Sequence, residues 1–239
     1  MTLRESVASD RVPPKYDANW HLRLDRNDIG EPLPAAARVQ RHASKTFIFD
    51  EGEEARALYE VVSGAVMLSK LLPDGRRQII ELLGPGDIFG FAPNGQHDAS
   101  AETLCGTAVA AFEPRSVAES SALQQRISAR MQAQICALHD HAVLLGRKSA
   151  LERVATFLMR LVPKRGGFGC CGPTTSKSDE EHVRVTLTRQ EIADYLGLTL
   201  ETVSRSFSLL KQRGMIRCGR NEDVVIANVC GLCRLAGAN

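Results

Sequence analysis

Residues 188–213 read TRQEIADYLGLTLETVSRSFSLLKQR. Two short runs with helical spacing of apolar residues, near 189–196 and 200–213, flank Gly197-Leu198-Thr199. Three residues are too few to let two helices lie antiparallel, so the spacing predicts a helix-turn-helix. Its turn is specified chemically. Gly197 can take the positive φ of a sharp turn, Ala193 is small where the helices would touch, and Val203 would plug the crossing. Thr199 is a natural N-cap for the second helix, and Leu198 with Val203 occupies the N′ and N4 positions of a hydrophobic staple.

On that second helix Val203, Phe207 and Leu210 share the inward face. Glu201, Ser204, Arg205, Ser208 and Lys211 or Gln212 project outward, a surface suited to the major groove of double-stranded DNA. Arg205 has the two-pronged donor geometry that matches guanine O6 and N7. Glu201 can accept from a cytosine amino group, and Ser204 can touch a thymine methyl or a polar edge. The alternative is an exposed Glu201–Arg205 pair four residues apart, worth only about 0.3–0.5 kcal/mol, and the two readings are compatible. Thr199 and Arg189 complete the candidate DNA-binding set.

Charge agrees in part. Residues 186–217 carry a net of plus two, modest for a DNA reader. Arg147, Lys148, Arg153, Arg160, Lys164 and Arg165 lie just upstream against Glu152, and phosphate contacts are expected partly from them. Downstream, residues 214–227 (GMIRCGRNEDVVIA) alternate as two strands about a polar Gly219–Asp223 turn, which beside a helix-turn-helix is a wing.

Further upstream, Gly and Pro vanish for thirty residues after Pro114, and Leu123, Ile127, Met131, Ile135, Leu138, Ala142 and Leu145 recur in steps of three and four. A helix of about 28 residues is about 40 Å long, more than a small β-domain covers, so the stripe is expected to meet a second copy of the chain. The bland alternative is a helix packed only on its own domain. A second helix is expected from Arg147 to about Leu161, ended by Pro163 and two glycines, and 166–179 reads as a loop.

Before the helices, the runs FIF, LYEVV, AVML, QIIELL, DIFGF and TAVAAF between Phe47 and Phe112 are broken by turn signals about every dozen residues, as in a small antiparallel sandwich or barrel. Up to about residue 40, prolines and charges with Trp20 as the one large anchor read as a tail. The expected division is therefore 1–40 tail, 41–116 β-domain, 117–146 dimerisation helix and 147–239 winged helix-turn-helix.

The strand-rich half followed by a helical half makes an α+β chain, and its composition is ordinary for a globular protein: of 239 residues 44% are apolar and 24% charged, which argues against disorder or a coiled coil. No apolar stretch approaches the roughly 20 residues of a membrane span, and the N-terminus has no signal-peptide core, so a cytoplasmic location without membrane is expected. Seven cysteines, an odd number, do not suggest a secreted disulfide framework.

With these motifs together the sequence resembles the CRP/FNR family of bacterial transcription regulators over roughly residues 40–230. The stretches FIFDEGEEARALYEVVSGAVML, LGPGDIFGF and LTRQEIADYLGLTLETVSRSFSLL carry the resemblance. It implies a cyclic-nucleotide-binding-like β-roll (a jelly roll), a long dimerisation helix through Leu123, Ile127, Met131, Ile135 and Leu138, and a homodimer. The pattern Glu201-x-x-Ser204-Arg205 looks like the FNR and FixK branches, which implies a TTGA-type palindrome, Arg205 on the guanine and Ser204 on the adjacent thymine. Dimer symmetry then implies half-sites about one helical turn apart. By the same resemblance Asp74, in the 73–76 hairpin loop, would face RNA polymerase; the alternative is a plain turn.

No cofactor is expected. In FGFAPNGQHDASAET (89–103) no acid stands where the family's ribose-binding Glu would be, and Asp98 and Ala99 replace the phosphate-binding pair, so cyclic-nucleotide control is not implied. No cysteine precedes Cys105, which denies an iron-sulfur cluster its usual ligands. The chain thus looks like the FixK branch, whose members act in low-oxygen and nitrogen-fixation circuits, and an activator is expected.

Cys170-Cys171 with the Cys230-x-x-Cys233 motif could hold a metal, but inert thiols are the default. Redox tuning by an exposed thiol in the 170–171 loop is a lesser alternative. Some FixK-like proteins carry a cysteine where Thr188 stands here. His139 and His141 point to different faces of the long helix. A haem or ligand gate in the β-roll would have only His42 and His97 to draw on, and a cupin-like metalloenzyme only His97; an enzyme is not expected.

Overall fold

The computed structural model describes residues 37–162, 179–219 and 223–237. Residues 1–36 of the predicted N-terminal tail, Lys164, Arg165, Cys170, Cys171 and the tip of the wing fall outside them. Eight strands form the N-terminal unit: β1 (Arg38–His42), β2 (Phe47–Phe49), β3 (Leu58–Ser63), β4 (Val66–Leu71), β5 (Arg77–Leu83), β6 (Ile88–Phe89), β7 (Ser100–Thr103) and β8 (Thr107–Phe112). They make two antiparallel four-stranded sheets, ordered β1-β8-β3-β6 and β2-β7-β4-β5. Phe49, Val61, Val66, Leu83, Phe89, Ala101 and Val109 fill the space between them. The β3–β4 turn requires Gly64, at φ +87°, because a Cβ there would lie 2.5 Å from Thr107 Oγ1.

Strand β1 falls largely in the segment expected to be tail. Its sequence, RVQRH, has a single apolar residue, and Val39 is exposed. It is held by backbone pairing to β8, in register from Arg38↔Ala111 to His42↔Thr107, so no hydrophobic alternation announces it.

The helical half begins with α1 (Pro114–Glu119) and the long α2 (Ser121–Arg147), separated at Ser120, whose hydroxyl caps α2 through Leu123 N–H. The predicted second helix is shorter than expected, α3 (Ala150–Arg160). Lys148 is extended, and Ser149 with Glu152 forms a capping box that restarts the helix. There follow β9 (Glu181–Arg184), α4 (Arg189–Leu196), α5 (Leu200–Gln212), β10 (Ile216–Cys218), β11 (Asp223–Ile226) and α6 (Val229–Leu235).

Two elements here add to the expected ones: β9 carries too little pattern to announce itself, whereas α6 buries Val229, Leu232, Cys233 and Ala236 at helical spacing behind an Asn N-cap. Strand β9 has one buried side chain, Val183, yet pairs with β11 to make the wing three-stranded, in the order β10-β11-β9. Helix α6 carries the CxxC: Asn228 caps it by accepting from Gly231 N–H, Cys233 is buried and Cys230 partly so. Three apart on one helix packed against α3, the two cysteines differ in place: Cys233 belongs to the apolar core, and Cys230 is only partly buried.

One apolar core runs through both halves. Ala65, Met67, Ile79, Leu82 and Leu104 of the β-roll pack in the same cluster as Phe157, Ile192, Leu196, Val203 and Leu210. Polar contacts frame it: Arg77 Nε lies 2.9 Å from Asp194 Oδ2 on α4, and Lys45 pairs with buried Glu191. The helix-turn-helix is therefore seated directly on β5 of its own chain.

Helix α2 corrects one expectation. Leu123 and Ile127, assigned to a seam with a second copy, are buried in their own chain against Ile88, Ala110 and Phe112. Met131, Ile135 and Leu138 are exposed by 36, 46 and 39%. At about 100° per residue the helix carries two adjacent apolar faces, one docked on the β-roll and one open.

Candidate nucleic-acid interface

Helix α4 starts at Thr188, which accepts from Glu191 N–H while the Glu191 carboxylate accepts from Thr188 N–H at 2.8 Å. This T-x-x-E capping box is written in the sequence, but apolar periodicity passes over it. The helix ends at Gly197 in the left-handed region (φ +60°, ψ +43°), as the turn demands. Thr199 then caps α5 by accepting from Thr202 N–H at 3.2 Å. Ala193 and Val203 are fully buried at the crossing, and Leu198 packs on the same cluster.

Glu201, Ser204, Arg205, Ser208 and Lys211 all lie on the exposed side of α5, while Val203, Phe207 and Leu210 are buried. Thr199 sits exposed at the N-terminal edge of that surface. Arg205 is ion-paired with Glu201, both side chains being more than 70% exposed. The pair holds the guanidinium over the first turns of the helix while leaving most of its donors to solvent. The Ser208 hydroxyl donates back to Ser204 O at 3.0 Å.

Arg189 does not join this face. Its guanidinium carbon lies 3.4 Å from the centroid of the Phe207 ring, a cation–π contact that closes the seam between α4 and α5. The upstream cations also differ from expectation. Arg153 donates to three backbone carbonyls, Lys148 to Thr156 Oγ1 and Ala236 O, and Arg160 to the Tyr195 hydroxyl at 2.9 Å. Of the described members of that group, Arg147 alone lies exposed at a helix end. Asp74, the other predicted surface contact, has both carboxylate oxygens turned onto Arg76, at 3.1 Å from its N–H and 2.8 Å from Nε. Those hydrogen bonds hold the Asp74 pKa below the ordinary aspartate value.

Behind the interface, the His141 ring of α2 stacks on Tyr195 of α4 (centroids 4.3 Å, 14°). Burial, then the nearby Arg160, pushes the His141 pKa down to about 4. A folded-state pKa below the unfolded one means the unfolded chain binds the extra proton, so stability falls as pH drops from about 6.5 towards 4. His141→Phe keeps the stack and removes the titration. It is expected to match the parent near neutral pH and to be more stable by about 2–3 kcal/mol near pH 4.5, as read from denaturation at each pH. Parallel stability curves would refute this.

Between the β-roll and α2 lies a cavity walled by Phe49, Leu68, Phe91 and Met131, with Glu81, Asp98 and Gln134 as polar members. Burial raises the Glu81 pKa to about 7. Among the described residues no three of His, Cys, Asp or Glu are grouped to hold a metal, and no helix is long and apolar enough to cross a membrane.

Comparison with known proteins decides the family. Residues 152–235 match the Crp-like helix-turn-helix domain, and residues 39–122 match the cyclic nucleotide-binding domain. The nitrogen fixation regulation protein FixK of Bradyrhizobium diazoefficiens is 38% identical over 202 residues, spanning 81% of this chain and 79% of that protein. The chain belongs to the CRP/FNR family. FixK of Rhizobium meliloti is 36% identical across 81% of this chain and 86% of its own. The solved structure of FixK2 from Bradyrhizobium japonicum superposes with a TM-score of 0.69 at 33% identity, over 83% of this chain and 96% of that one. This CRP/FNR member is a DNA-binding transcription regulator of the FixK type, with the β-roll and C-terminal helix-turn-helix order of that family.

Proposed function

We propose that the chain binds a TTGA-type palindrome as a homodimer and activates transcription in low-oxygen or nitrogen-fixation control. The carrying observation is the exposed trio Glu201, Ser204 and Arg205 on the first turns of α5, with Arg205 oriented by Glu201. Arg205 takes the guanine, Ser204 the adjacent thymine, and Thr199, Ser208 and Lys211 lie where they would flank the groove. Arg189, committed to Phe207, acts from behind by holding the two helices together. Met131, Ile135 and Leu138 form the dimer seam. The relatives' names as nitrogen fixation regulators support the physiological setting, and their roles as regulators support a chain without catalytic chemistry.

Neither a cyclic nucleotide nor an iron-sulfur cluster is part of this reading. The cavity wall presents Glu81 and Asp98, and Asp98 is paired with Lys70 at 3.4 Å, so a cyclic phosphate would meet carboxylates. RNA polymerase is the expected partner of the activator. Asp74 contributes to that contact as the organiser of its loop, its carboxylate being engaged by Arg76.

Selection of bound duplexes from a random library, under oxidising and reducing conditions, tests the reading. Enrichment of inverted TTGA repeats about one helical turn apart, alike in both conditions, is expected. Enrichment of single half-sites, or of none, would reject it.

A further inference from the structure

Arg153 occupies an unusual place. From the first turn of α3 its guanidinium donates to three backbone carbonyls: Lys148 O at 2.9 Å, Leu145 O at 2.6 Å and Leu196 O at 2.9 Å. Leu145 and Lys148 end α2, and Leu196 ends α4 at the turn into α5. The terminal carbonyls of a helix lack intrahelical donors and carry its negative dipole end. One fixed cation thus sits where two helix C-termini converge, and only the planar fork of arginine can serve three acceptors in fixed directions.

The surroundings are equally close. A Cβ on Gly197 would stand 3.6 Å from Arg153 Nη1, 3.6 Å from Leu145 Cδ2 and 3.9 Å from Gln78 Oε1, so α2, α3 and β5 meet at the helix-turn-helix turn. One helical turn before Leu145, His141 stacks on Tyr195. The end of α2 is therefore tied to α4 at two successive levels, and α5 follows α4 through the capped turn.

We infer that Arg153 is a positioning residue that fixes the angle between the long helix and the recognition helix, and so sets the half-site spacing the dimer accepts. This rests on the homodimer-on-palindrome reading. Each base pair added between half-sites turns one of them by about 34–36° around the duplex, which a dimer with rigidly seated heads cannot follow. Loosening the clasp lets the heads swivel. Affinity for the proper spacing falls and affinity for wrong spacings recovers, while binding to a lone half-site is unchanged.

The experiment titrates the full chain against one isolated half-site and against palindromes with the selected spacer, one base pair fewer and one more. The parent should discriminate among spacers by about tenfold or more. Arg153→Lys, which keeps the charge but not the fork, and Arg153→Met should fall below about threefold while binding the half-site within about twofold of the parent. Lys148→Met is the control, since Lys148 braces α3 and α6 without touching the turn. It should lower the melting temperature and keep the parent's spacer preference. If Arg153→Met does not fold, Arg153→Lys decides alone. Parental discrimination in the Arg153 variants overturns the inference, as does an equal loss in Lys148→Met. A parent indifferent to spacing overturns the palindrome reading and, with it, this one.

Discussion

Arg205→Ala is expected to cost roughly 1–3 kcal/mol at a TTGA half-site, about 5- to 150-fold in affinity, and to relax the preference at its guanine. The side chain stands free of the core, more than three-quarters exposed, so its removal leaves the fold intact. What disappears is a bidentate hydrogen bond to O6 and N7, and a lysine cannot reproduce it. Base-reading and phosphate-binding roles give different signatures. Truncating a side chain that reads a base edge leaves the salt dependence of binding nearly unchanged. Truncating one that neutralises a phosphate weakens all sequences alike and lowers the salt slope by about one. Titrations against all four bases at that position, at two ionic strengths, therefore decide it. A uniform loss of affinity with a reduced slope would remove Arg205 from the reading head. Glu201 adds a refinement: because it pairs with Arg205, Glu201→Gln should broaden base choice more than it weakens overall binding.

The second large effect is expected at the open face of α2. Met131, Ile135 and Leu138 are each a third to a half exposed, and covering them with the same face of a second copy removes apolar surface twice over. A carboxylate there must be desolvated without a partner, at a cost of several kcal/mol across the two copies. Ile135→Asp should thus raise the dimer dissociation constant by about a hundredfold or more and leave monomers that bind single half-sites weakly. Sedimentation velocity with the parent as reference checks this, and an intact dimer would remove the seam from α2. Ile127→Asp serves as the contrast. Ile127 is 7% exposed against Ala110 and Phe112 of its own β-roll, so its substitution should lower the melting temperature of the chain as a whole.

The contrast between Ile127 and Ile135 shows where sequence reading stops. All seven apolar residues of the α2 stripe obey the same helical spacing, and periodicity reports only that they share a side of the helix. Which part of that side meets the β-roll depends on where Ile88, Ala110 and Phe112 come to lie, and those residues are far away in the chain. Arg153 and Arg189 show the same limit for charge. In the sequence each is one more cation near a DNA reader. In the fold one is consumed by three carbonyls and the other by a phenylalanine ring.

What residues 188–213 determine by themselves is local: Thr188 and Glu191 start a helix, Gly197 ends it, Thr199 starts the next, and the alternation of Val203, Ser204, Arg205 and Phe207 divides inside from outside. Such features arise from interactions within a few residues, so they are complete in the sequence. Strands β1 and β9 were settled only by tertiary structure. Their order comes from backbone pairing to distant partners, β8 and β11, and leaves little mark on their own side chains, whereas α6 does carry a helical stripe in Val229, Leu232, Cys233 and Ala236. The seating of the helix-turn-helix turn against the end of the long helix belongs to the same class, because a guanidinium finds three acceptors only when the ends of separate helices have already been brought together.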